Sequence, residues 1–204
     1  MPGTNRARNL PLGPDGRGLG PAVGTLALAL ALAACGDAFA NLLAPVPEEP
    51  GQATLVDFRT GGLSDPSAFD LISGRTVRVD QTASWDFLFY VTEGGQAQLR
   101  TFSAATDGGN HAGLQKVSRG FDDLTRAPSS GYVAEEPLPI SVGDVVAAVT
   151  RQEPGVSIRC RHFAKLEVLA IDTEAETMRF RYLVNPNCEV RSVEAGASGQ
   201  EQNR

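Results

Sequence analysis

Apolar and polar positions alternate over short stretches along most of the chain, and amphipathic 3.6-residue periodicity is scarce. β-rich segments recur between clusters of Gly, Pro, Asp and Ser, and the pattern predicts strands over 53–59, 67–72, 75–80, 84–92, 96–102, 143–150, 157–171 and 176–184. Ser73-Gly74 between two apolar stretches is a hairpin signal. In 84–92, alternation puts Trp85, Phe87, Phe89 and Val91 on one face and Asp86, Leu88 and Tyr90 on the other. Residues 103–138 are long, polar and Gly-rich, and irregular connections of that length inside a domain are functional or disordered. The fold class that follows is all-β, with antiparallel sheets, hairpins and a long Gly-rich loop.

The last two strands fix their own register. Centred on Glu174, the hairpin sets Val168 opposite Phe180, Leu166 opposite Tyr182 and Ala164 opposite Val184 on one side of the pleat. The other side sets Glu167 opposite Arg181, an opposite-charge pair, and a slip by one residue destroys both matches. The same register turns Met178 inward opposite Ala170 and brings Cys160 opposite Cys188. A Cys160–Cys188 disulfide is the expected outcome outside the cytosol, although Pro186 has no N–H for the ladder and can end the pairing early. His162 follows two residues after Cys160, on the same face, so a Cys-x-His strand facing a second Cys is an alternative zinc or copper site. Such a closed site wants four ligands, and three are in view.

The start of the chain reads as an address. Arg6, Arg8 and Arg17 precede an apolar run from Ala22 to Ala34, thirteen residues long and too short to span ~30 Å of hydrocarbon. It ends in Leu32-Ala-Ala-Cys35, which looks like a bacterial lipobox and makes Cys35 the expected lipid-modified first residue, carrying diacylglycerol and palmitate-type acyl chains. The organisation expected is a lipoprotein signal peptide over 1–34, a lipidated Cys and Pro/acid-rich tether over 35–51, a β domain over 52–191 and a flexible tail over 192–204. Asp37 rather than residue 36 carries the acid near the cysteine, which favours the outer membrane or cell surface, with a domain facing outward or into the periplasm.

Charge narrows the function classes. The 204 residues carry 18 Lys+Arg against 24 Asp+Glu, and removing 1–34 takes away three arginines and Asp15, leaving 15 − 23 = −8. An acidic chain has little attraction for a phosphate backbone, so nucleic acid is not an expected partner. The chain lacks a Gly-x-Ser-x-Gly elbow, a His-Glu-x-x-His motif, a Walker loop and a GxGxxG after a strand, and the pairs Asp122-Asp123 and Glu135-Glu136 sit in polar stretches; no catalysis is expected.

Several stretches read together in order: Phe69-Asp-Leu-Ile-Ser-Gly-Arg-Thr-Val77, Ser84-Trp-Asp-Phe-Leu-Phe89, Thr106-Asp-Gly-Gly-Asn110, Phe121-Asp-Asp-Leu-Thr-Arg-Ala-Pro-Ser-Ser-Gly-Tyr-Val133, Val142-Gly-Asp-Val145, Phe163-Ala-Lys-Leu-Glu-Val168 and Phe180-Arg-Tyr182. In this order they resemble the HmuY family of secreted, lipid-anchored haem-binding proteins, over about residues 54–185. The family pattern usually begins Thr-Asn-Gly-Gly where this chain has Thr106-Asp-Gly-Gly, and Tyr often stands in place of Phe163. The resemblance implies antiparallel sheets and a loop-built haem pocket, with haem iron held between two histidines. This chain has two, His111 and His162, and Arg161 or Arg119 at the rim to pair with the propionates. It also implies a haem carrier for iron acquisition, with the membrane, haem and an outer-membrane receptor or another surface protein as partners. The competing expectation is a structural or adhesive surface lipoprotein that binds a protein or glycan and has no haem site.

Overall fold

The computed structural model describes residues 48–62, 64–106, 112–152 and 160–196. Cys35 and the signal-like segment, and His111 with Gly108 and Gly109, lie outside the described residues. Ten strands follow in chain order: β1 (Pro50–Val56), β2 (Ala68–Asp70), β3 (Arg75–Val77), β4 (Phe87–Val91), β5 (Ala97–Thr101), β6 (Gly113–Val117), β7 (Leu138–Pro139), β8 (Val145–Val149), β9 (Phe163–Asp172) and β10 (Thr177–Val184). One short helix, α1 (Phe102–Thr106), follows β5. The strands form two antiparallel five-stranded sheets, ordered β1-β10-β9-β8-β6 and β3-β2-β4-β5-β7. The fold class is all-β, as the alternation predicts.

The two sheets share one core. Phe69, Phe87, Phe89 and Leu99 from the second sheet meet Leu166, Val168, Met178 and Phe180 from the first, all wholly buried. Phe180 sets its ring edge against Phe69 and Phe87, with centroids 5.3 and 5.9 Å apart, the T-shaped arrangement that the charge distribution of aromatic rings favours.

The first sheet is buried on its outer face as well. Along β8, Val146 and Ala148 join the shared core, whereas Val145, Ala147 and Val149 enter a second cluster with Phe121, Leu124, Ala127, Phe163 and Val193. A near-continuous apolar run such as Val145-Val-Ala-Ala-Val149 reports a strand covered from both sides. The cover is the 118–133 segment together with residues 190–195. Backbone bonds tie the two, with Ala127 N donating to Arg191 O and Val193 N to Thr125 O, both at 2.9 Å. Residues 192 and 193, expected in a flexible tail, are therefore part of the fold: Val193 is wholly buried and Ser192 bridges Arg126. At the other end Pro50 and Gly51, expected in the tether, already pair with Leu183 and Tyr182.

The β9–β10 hairpin has the predicted register over Ala164–Val184, Leu166–Tyr182, Glu167–Arg181 and Val168–Phe180, and Arg181 hydrogen-bonds Glu167 across the strands. A β-bulge between Arg179 and Phe180 leaves Leu169 unpaired, so Met178 faces Ile171 rather than Ala170, while still packing into the core. Trp85 also departs from its expected face. The strand starts at Phe87, after a bend at Asp86, and Trp85 packs with Ala68, Leu88 and Phe102 on the outer side of the second sheet.

Candidate functional site

The sequence points first to Cys160, His162 and Cys188, which the structure brings together at one end of the β9–β10 hairpin. The ladder runs up to Asn185, whose N–H donates to Phe163 O at 2.8 Å. Pro186 then ends it, and Asn187 N and Nδ2 turn back onto Asn185 Oδ1 at 2.8 and 2.9 Å. The turn returns the chain to the start of β9, where Glu189 N donates to Arg161 O at 2.9 Å, and Cys160 and Cys188 are joined as a disulfide with Cα atoms 5.1 Å apart. Sulfurs bonded to each other are not thiolates, so the alternative zinc or copper site loses two of its three ligands.

His162 is buried beside this bond. Its backbone N–H donates to Thr150 Oγ1 at 2.9 Å, and Thr150 N donates to His162 O at the same distance. Its Nδ1 lies 3.2 Å from Asn185 O, and a carbonyl only accepts, so Nδ1 carries the proton. In the neutral ring the lone pair then sits on Nε2, the nitrogen an iron would need, and Nε2 faces Cys160 Sγ at 3.8 Å. His162 thus packs between a disulfide, a β-turn carbonyl and the end of β8, and none of the four clefts described in the structure is lined by it. Of the two arginines expected near propionates, Arg161 pairs with Glu189 at 3.6 Å, and Arg119 lines an open cleft beside β6.

Two buried charged groups escape the sequence reading. Arg151, just past β8, donates from its backbone N and from Nη1 to Asp86 at 2.9 Å, and Nη1 also lies 2.9 Å from Asp70 Oδ1. Asp86 further accepts from Leu71 N at 2.8 Å, so one wholly buried carboxylate ties the second sheet to the end of a first-sheet strand. Burial pushes the Asp86 carboxyl up from the usual aspartate range, and Arg151 pulls against that shift. The second is Lys165 on β9, whose Nζ donates to Phe121 O and Leu124 O at 2.7 and 3.0 Å beneath the covering loop. Burial lowers its pKa from the usual lysine value. It borders a cleft of about 560 Å³ where Lys165 and Arg181 are matched by Asp122 and Glu194.

A scan against protein-family models, a search of curated proteins and a search of solved structures each find no match to this chain.

Proposed function

We propose that this chain is an exported, lipid-anchored binding protein: Cys35 holds it on a membrane, and the β domain presents a ligand-binding surface without catalysis. The observation that carries the reading is the Cys160–Cys188 disulfide. Disulfides persist in oxidising compartments and are rare in the cytosol, which agrees with a signal-like start ending in Leu32-Ala-Ala-Cys35. An all-β fold of antiparallel sheets is also what the HmuY resemblance implies.

The environment of His162 favours a surface-binding lipoprotein over a bis-histidine haem carrier. For His162 to ligate iron, Nε2 has to leave the disulfide and the ring has to break from Asn185 O. Haem held through His111 with a different opposing group is the form of the carrier reading that leaves this packing intact.

Haemin titration of the full chain, with and without His111→Ala and His162→Ala, separates the two. The expected result is that His162→Ala lowers the melting temperature and leaves the Soret region of the haemin-treated protein unchanged. A sharp low-spin spectrum degraded by both substitutions defeats the structural role given to His162 and restores the bis-histidine carrier. The lipid anchor has its own check. Radiolabelled palmitate is expected to enter the wild-type chain and not Cys35→Ala.

A further inference from the structure

β6 is the outer strand of the first sheet, and beside it the covering loop opens a cleft of about 520 Å³. Its charged wall is all of one sign: Lys116, Arg119, Arg126 and Arg191 line it, and no carboxylate does. In a mature chain of net charge −8, four of 15 basic residues converge on this place. Two of the four are already committed. Lys116 Nζ pairs with Asp144 at 2.7 Å, and Arg191 donates from Nε and Nη2 to Ala127 O at 2.9 and 2.5 Å, fixing its guanidinium at the loop. Arg119 and Arg126 are exposed, with no side-chain hydrogen bond or ion pair among the described residues. The backbone of Arg126 bridges Ser192, and Gly120, next to Arg119, accepts from Leu124 N at 3.0 Å. The two forks thus stand on an ordered frame with their donors available.

The rest of the lining narrows the ligand. Gln115 and Ser118 bring amide and hydroxyl groups, and Pro128 and Val117 supply small apolar patches. Guanidinium forks suit phosphate oxygens bidentately. The acidic remainder of the surface repels a long polyanion, whereas a short anion that fits inside the cleft meets Arg119, Arg126 and Arg191, with Asp144 held off by Lys116.

We propose that the cleft between β6 and the 118–128 loop binds a phosphosugar, with Arg119 and Arg126 on the phosphate and Gln115 and Ser118 on sugar hydroxyls. This deepens the binding role proposed above and rests on it for the cellular setting alone. A phosphosugar exists free in solution and as the head of a glycolipid, and the chemistry of recognition is the same for both.

The test uses the full chain purified in a neutral detergent, with calorimetric titration of glucose 6-phosphate, of glucose, and of lipid A carried in the same micelles. Binding of glucose 6-phosphate in preference to glucose, weakened at least about tenfold in Arg119→Ala/Arg126→Ala and by added salt, supports the proposal in its soluble form. Binding of lipid A alone with the same dependence supports the headgroup form. The control Arg179→Ala, an exposed arginine on β10, should leave both unchanged. The proposal is overturned when neither probe binds, when glucose binds as well as its phosphate, or when the double variant binds normally. Circular dichroism of each variant shows that the fold is intact. Failure here leaves palmitate labelling and the haemin spectrum untouched, so the two readings fall separately.

Discussion

Arg151 spends its charge inside the protein. Its guanidinium sits between Asp70 and Asp86, and Asp86 also receives the N–H groups of Arg151 and Leu71. Substituting Arg151→Met leaves two carboxyl groups facing each other under the core without a cation. Breaking a buried pair from one side costs about 3–5 kcal/mol, which urea denaturation at neutral pH would read as a large fall in midpoint at an unchanged slope. Asp86 adds a pH dependence with a definite sign. Its folded pKa is raised by burial, so above the ordinary value of about 3.9 the folded protein holds a proton that the unfolded chain has lost. That contribution to stability is full below the ordinary value and disappears as pH rises through the raised one. Asp86→Asn should remove this falling segment from the pH–stability curve while lowering the whole curve; a mutant curve parallel to wild type across mildly acidic pH contradicts the assignment. Nothing in the sequence marked Asp86 as special, because alternation within 84–92 treats it as one more outward residue. Its partner, Arg151, lies 65 residues away, out of reach of any local pattern.

At the level of elements, legibility follows from whether the determinants are local. The β9–β10 register could be read because each side of the pleat carries its own matched set, and an error of one residue violates all of them. The bulge at Leu169 could not, since Leu and Ala satisfy either alignment and the choice is made by packing below. β6 was hidden for a related reason: Gly113-Leu-Gln-Lys-Val117 has two apolar side chains, and its pairing partner β8 lies some 30 residues on. Hence residues 103–138 looked like one long loop, when much of the stretch is an edge strand followed by a cover for the first sheet. The cover is keyed by a missing side chain. A Cβ on Gly113 would stand 2.7 Å from Tyr132 Cβ and 3.3 Å from Val149 Cγ1. Gly113→Ala should therefore push Tyr132 off β6, costing about 1–3 kcal/mol as overpacking does, and limited proteolysis should show earlier cutting within 118–133. Unchanged cleavage kinetics would mean that the loop is held by Lys165 and Arg191 alone.

For the whole molecule, the disulfide closes a segment of 28 residues that contains all of β9 and β10. Both strands lie in the middle of the first sheet, flanked by β1 on one side and β8 on the other, so any opening of this segment unzips both clusters of buried residues. Closing a loop of that length lowers the entropy of the unfolded chain by an amount equivalent to about 3.5 kcal/mol at 25 °C. The Cys160→Ser/Cys188→Ser variant should lose about 2–4 kcal/mol, read by chemical denaturation under matched conditions, and wild type in reductant should move to the same midpoint. Agreement between reduced wild type and the double variant is the informative comparison. It separates loss of the cross-link from damage at the His162 packing site, which Ser at both positions alters and reduction alters less. A double variant much weaker than the reduced protein would assign the stability to the sulfur–imidazole packing rather than to chain closure. Equal midpoints in oxidised and reduced protein would instead show that the hairpin, already fixed by its register, has no need of the bond.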